Sequence, residues 1–136
     1  MARAATVSDA RTHAWSVLRG VEDGRLVCAR VRRAGSFGAR LIGLIGRSRL
    51  DPDEGLYLPG TNGVHMLFMR FAIDCLFLSR PAPDGSQRVV GLRSRLRPWT
   101  GAVWHVPGAA GVVELPAGTL DASGLQRGDV VRFERD

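Results

Sequence analysis

Two carboxylates sit where carboxylates are costly. Asp74 interrupts Phe71-Ala72-Ile73-Asp74-Cys75-Leu76-Phe77-Leu78, and Glu114 interrupts Gly111-Val112-Val113-Glu114-Leu115. In an extended strand Asp74 shares a face with Ala72, Leu76 and Leu78, while Phe71, Ile73, Cys75 and Phe77 take the other. Both faces are apolar, so the carboxylate is expected to be shielded from water. An ionised carboxylate there costs several kcal/mol unless it is paired or multiply hydrogen-bonded. The bland account is a fold-holding pair with an arginine, and the functional one is a ligand-binding or catalytic group. Arg70 has the right parity but lies roughly 13 Å away along a straight strand, so it reaches Asp74 only across a bend. Arg47, at the end of an expected helix, is an equally good partner. If Glu114 converged with Asp74, the two acids with His65 assisting could do general acid–base work in a hydrolase or lyase. The commoner outcome for Glu114 is the solvent face of a half-exposed strand.

His65 with Met66 and Met69 offers soft ligands of the kind copper takes, but alternation puts Met66 opposite His65 and Met69, and a Met-rich core explains all three. Arg93, Arg95 and Arg97 alternate with Ser94 and Leu96. As a regular strand they would line one face at roughly 6.6 Å spacing. With Trp99 and Trp104 close by, they could form a groove for single-stranded nucleic acid; the competing account is an edge strand blunted by charge. No phosphate loop, nucleophile elbow or metal-ligand spacing occurs: Gly46-Arg47-Ser48-Arg49-Leu50, Gly60-Thr61-Asn62-Gly63 and Gly108-Ala109-Ala110-Gly111 each lack an essential residue. No cofactor or metal is therefore expected, and catalysis has no local signature.

The elements that must position these residues are short. Met1 to about residue 22 is weakly patterned, with spacing that allows a short helix over Ser8–Leu18; residues 23–136 read as one β-rich domain. Leu26–Arg32 alternates as a strand. Ser36 can cap a helix in which Phe37, Leu41, Leu44 and Ile45 form one apolar stripe. Asp51-Pro52-Asp53-Glu54-Gly55 reads as a turn. Val64–Leu78 is too long for one strand and divides near Arg70-Phe71. Strands follow at Arg88–Leu96, Val103–Val106, Gly111–Leu115 and Val130–Glu134, with a helix over Thr119–Leu125 closed by Gly124. Six or seven short strands with two or three short helices describe an α+β, mainly antiparallel domain, a compact barrel or sandwich.

The chain has 136 residues, enough for one ordinary domain, and a formal net charge of +6. All 19 basic residues are arginine. A surface selected only for phosphate affinity would use lysine as well, so this bias weakens the nucleic-acid reading. Cys28 and Cys75 lie far apart in apolar runs and fit a reducing cytoplasm. No run approaches the length of a membrane span, and the first twenty residues carry no secretory signal.

In order along the chain, Gly43-Leu44-Ile45-Gly46-Arg47, Val64 to Asp74 (Val-His-Met-Leu-Phe-Met-Arg-Phe-Ala-Ile-Asp), Leu115-Pro116-Ala117-Gly118 and Gly128-Asp129 resemble the blocks of the domain of unknown function family 192. Leu96-Arg97-Pro98-Trp99 resembles a further block found in one branch. The resemblance spans about Asp23 to Phe133 and implies a small, barrel-like, β-rich domain without an established activity. The family pattern has Pro where this chain has Ala72. Arg47, His65, Met69, Arg70, Asp74 and Glu114 match its polar or signature positions. The expectation is a non-enzymatic binding domain whose cleft, near Arg47, His65, Arg70, Asp74 and Glu114, takes a small anionic or amphipathic ligand or a peptide. An Asp74/Glu114 hydrolase or lyase and single-stranded nucleic-acid binding through Arg93, Arg95, Arg97 and Trp99 are the alternatives.

Overall fold

The computed structural model describes residues 15–34, 49–66 and 69–135. Among these residues nine strands and one helix follow in order: β1 Trp15–Gly20, β2 Leu26–Arg33, β3 Glu54–Pro59, β4 Val64–His65, β5 Ile73–Leu78, β6 Gln87–Leu96, β7 Ala102–Val103, β8 Gly111–Pro116, α1 Thr119–Ser123 and β9 Val130–Arg135. Seven strands close into a barrel in the order β1-β2-β3-β8-β5-β6-β9, and β4 and β7 form a separate two-stranded ribbon. Every barrel pair is antiparallel except β2–β3, which runs parallel. Closure leaves the barrel without a free edge.

The apolar pattern dictates which strands lie deepest. All six residues of β5 are buried, as are the first five of β3 and of β8. A strand buried on both faces must be apolar throughout, which is why these runs do not alternate. Their inner side chains, among them Leu76, Leu78, Val113 and Leu115, fill the barrel together with Leu18, Val31 and Val131. Their outer side chains, Leu56, Leu58, Ile73, Phe77 and Val112, meet Leu50, Val64, Met66, Met69 and Val106 in a second core outside the barrel. His65's neighbours Met66 and Met69 thus belong to a core, as their apolar character suggests.

Several expectations need correction. Trp15–Gly20 is a strand, not the end of a helix; only four residues of the expected Ser8–Leu18 helix are described, and they pair with both β2 and β9. β3 stands where the sequence shows a turn running into unassigned chain: the turn occupies Pro52-Asp53, and Glu54 already belongs to the strand. The strand expected over Val103–Val106 shrinks to Ala102–Val103, because Trp104 and His105 turn outward and only Val106 re-enters the core. One short helix appears among the described residues rather than two or three. The helix expected after Ser36, and Arg47 with it, lies outside them. The divided Val64–Leu78 segment, the strands at Leu26, Arg88, Gly111 and Val130, and the helix closed by left-handed Gly124 form as read.

Candidate functional site

Asp74 is fully buried, and backbone amides rather than a guanidinium hold it. Its Oδ1 accepts from the Arg95 N–H at 2.9 Å, and its Oδ2 accepts from the Gly118 N–H at 3.1 Å and the Leu120 N–H at 2.9 Å. Gly118 occupies the N-cap of α1 and has no side chain to cap it. The carboxylate reaches over from β5 and supplies the missing acceptor, so it fastens α1 onto the barrel. A bulge in β6 aims the third amide: Ile73 pairs with Leu96 but Cys75 with Arg93, and Arg95 sits at φ 51°. The expected pairing with Arg70 is not formed; Arg70 is exposed, and the three amides complete the carboxylate's partners.

Glu114 is also fully buried, which overturns the solvent-face expectation. It lies opposite Leu56 on one side and Cys75 on the other, on the outer face of the barrel beneath the second core. Asp74 lies opposite Leu115, whose side chain fills the barrel. Residues directly opposite in an antiparallel pair share a face, so the two acids project to opposite sides of the wall. They cannot work as one acid–base pair. Glu54, two residues before Leu56, is buried on the same outer face as Glu114, and one of its carboxylate oxygens accepts from the Asp51 N–H at 3.2 Å.

The bulge that serves Asp74 also breaks the arginine row. Arg93 and Leu96 share the face of Cys75 and Ile73, whereas Arg95 turns toward α1 and pairs with Asp121 at 2.8 Å. This exposed ion pair holds the Arg95 guanidinium, through its hydrogen bond to Asp121 first, above its ordinary pKa. Arg93, Arg97 and Trp99 are exposed but do not form a regular track. Among the described residues no cluster of three metal-ligating side chains occurs.

Among the described residues, one place where the fold leaves open, mixed polar and apolar surface is pointed to by the sequence only through His65. The β3–β4 loop, Gly60 to Gly63, runs beside the β4–β7 ribbon and encloses a groove of about 360 Å³ lined by Thr61, Asn62, His65, Val103 and Trp104. The ribbon buries Val64; the half-buried His65 and Ala102 form the adjacent cross-strand pair on its other face. Gly63 is required at the groove's floor, since a Cβ there would come within 2.5 Å of the carbonyl oxygens of both Val103 and Trp104. Trp104 is 80% exposed, the most exposed large apolar side chain described. At the far end of the ribbon the Trp99 N–H donates to the Met66 carbonyl, with Trp99 held at φ 65°, a conformation rare for a bulky residue. Of the expected site residues that are described, the groove brings in His65. Asp74 is a structural cap, Glu114 lies beneath the second core, and Arg70 does not line the groove.

The profile of the domain of unknown function family 192, described as an uncharacterized ACR, matches residues 20–133. The chain belongs to this family. A Thermococcus sibiricus protein named UPF0127 protein is 32% identical over 117 residues, which is 82% of this chain and 70% of that protein. The fold resembles a crystal structure from Sinorhizobium meliloti 1021 described as a "putative transcription regulator", with TM-score 0.68 and 26% identity over 88% of this chain and 94% of that one. A Novosphingobium aromaticivorans protein of unknown function superposes with TM-score 0.67 at 21% identity over 87% and 83%. The expected family is thereby shown, along with a β-rich barrel. No helix among the described residues is long and apolar enough to cross a membrane.

Proposed function

We propose that the chain is a non-enzymatic binding domain whose ligand, an amphipathic small molecule or peptide, lies in the groove between the Gly60–Gly63 loop and the β4–β7 ribbon. One observation carries the reading: an 80% exposed Trp104 forms a wall of a concave site whose other residues include Thr61, Asn62 and His65. An aromatic side chain left in water beside a few convergent polar groups gains most from a ligand that covers it while meeting those groups. No arginine lines this groove, so the reading favours an amphipathic ligand over an anionic one. An acid–base enzyme built on Asp74 and Glu114 has lost its geometry. Cys28 and Cys75 are buried and not joined in a disulfide, in keeping with a reducing, cytoplasmic setting.

The test is a thermal-shift screen of the purified chain against arrayed metabolites and short aromatic-containing peptides, repeated on Trp104→Ala. Truncating so exposed a side chain should leave the melting temperature of the free protein nearly unchanged, within about 0.5 kcal/mol of stability. A compound that stabilises the wild type but not Trp104→Ala supports the groove. Compounds that stabilise both proteins equally, or none that stabilises either, would remove it.

A further inference from the structure

The arginines of β2 are organised differently from those of β6. The Arg30 guanidinium carbon lies 4.4 Å from the centroid of the Trp15 indole, and that of Arg32 lies 5.6 Å from it. Trp15 and Arg32 face each other across the β1–β2 pair. One ring therefore orients two like charges that would otherwise repel, on the outer surface of the barrel. A guanidinium stacked on an indole keeps its donor fork and its second flat face available.

The same three-strand surface continues to a second anomaly. Arg19 on β1 lies directly opposite Arg132 on β9. Like charges so placed weaken a sheet, and folding alone does not ask for them. Acidic neighbours stand at this surface, but loosely: Arg19–Glu134 at 3.4 Å, Arg30–Asp53 at 3.5 Å and Arg132–Asp84 at 3.9 Å, every side chain at least one-third exposed. Exposed pairs of this kind contribute little and yield readily to a phosphate, which takes charge-assisted bonds from the guanidinium fork. Arg32 makes no ion pair among the described residues.

We propose that the outer face of β1, β2 and β9, centred on Trp15, Arg30 and Arg32, binds single-stranded nucleic acid. The guanidiniums would track phosphates, and the layered indole and guanidinium planes would take an unstacked base. A duplex hides its base faces, and among the described residues this sheet surface projects no element into a groove, so the single strand is the partner that uses both features. The net charge of +6 favours its approach. This site is separate from the groove at Trp104, and neither proposal depends on the other.

Fluorescence anisotropy of an end-labelled twenty-nucleotide oligo(dT) tests it with the full chain. Binding should weaken by about ten- to twentyfold between about 50 and 200 mM salt, as expected for roughly three neutralised phosphates. The double variant Arg30→Gln/Arg32→Gln should bind at least about tenfold more weakly, from lost stacking and phosphate contacts. Arg93→Gln/Arg97→Gln removes the same charge from β6 and should bind as the wild type does. If the first variant melts early, Arg32→Lys replaces it: the charge and salt slope stay, but affinity falls because an ammonium cannot stack as a plane. No oligo(dT) binding at 50 mM salt, equal losses in the β2 and β6 variants, Arg32→Lys binding as the wild type does, or tighter binding of a duplex of equal length would overturn the proposal.

Discussion

The two halves of this barrel wall obey different rules. Strands β3, β8 and β5 are covered on both sides, and the polar side chains there are buried and held: Asp74 by three amides, Glu54 by the Asp51 amide with one of its oxygens. Strands β1, β2 and β9 are covered from within, and among the described residues their outer face carries arginines in exposed, long ion pairs. A charge on the covered side is an element of construction. On the open side it is a surface property, available to a partner. The same residue type thus calls for opposite inferences on either side, and burial decides between them.

Removing one carboxylate from each half is the strongest way to break this contrast. Asp74→Ala leaves the Arg95, Gly118 and Leu120 amides without their acceptor and releases α1. The expected cost is about 3–5 kcal/mol, because hydrogen bonds to a charged group are strong and an orphaned buried donor pays its full desolvation. Asp53→Ala on the open side should cost under about 1 kcal/mol. Urea unfolding of the two variants measures both. Equal costs would mean that burial does not separate the two halves.

A smaller effect sharpens the same contrast at the groove. Gly63→Ala must displace backbone, since its Cβ meets two carbonyl oxygens at 2.5 Å; the cost should be about 1–3 kcal/mol, and any groove ligand found with the wild type should lose affinity. Gly60, at φ 75° with open space around its Cβ position, borders the same groove. Gly60→Ala should cost about 1 kcal/mol of backbone strain and leave the ribbon in place. Melting curves with and without that ligand separate the two substitutions. If both lose the ligand alike, the close approach at Gly63 is not what shapes the groove.

How much could be read in advance also divides along this line. Two of the covered strands, β5 and β8, announced themselves because two-sided burial needs unbroken apolar runs, and within those runs Asp74 and Glu114 were visible as exceptions; β3 did not, because its run opens on Glu54-Gly55 and closes on Pro59. Which side of the wall each faced was not legible, since both faces of an unbroken run look alike. The register set it, with Asp74 opposite Leu115 and Glu114 opposite Cys75. β1 stayed hidden because Trp15-Ser16-Val17-Leu18-Arg19-Gly20 alternates weakly and bulges twice against β2. The arginine row on β6 was misread for a related reason: spacing in sequence assumes a regular strand, and Arg95 at φ 51° is where the strand ceases to be regular. Most of the groove was illegible, because Thr61, Asn62 and Trp104 meet only through the ribbon pairing of distant segments.

The smallest expected effect follows pH. Cys28 lies on β2, an open-side strand, yet packs inward, its thiol donating to the Asp53 carbonyl at 3.3 Å. Burial, foremost, pushes this thiol above its ordinary pKa, more than its backbone hydrogen bond with Arg30 lowers it. Below about 8.5, the ordinary thiol value, the group is protonated whether the chain is folded or not, so its contribution to stability is complete. Above that value the unfolded chain ionises while the folded one resists, and the contribution is lost as pH rises toward the higher folded value. Asp84 runs the other way. The Ser86 hydroxyl, first, and the Ser86 amide hold its carboxyl below the usual range, so its small contribution is present above about 3.9 and is lost as pH falls through the lower folded value. Unfolding free energies of the wild type and Cys28→Ala between about pH 7 and pH 10 isolate the thiol, since every other group titrates in both proteins. The wild type should lose stability more steeply over the alkaline part of that range. Parallel profiles would show that Cys28 meets water, and that inward packing on the open side is looser than on the covered side.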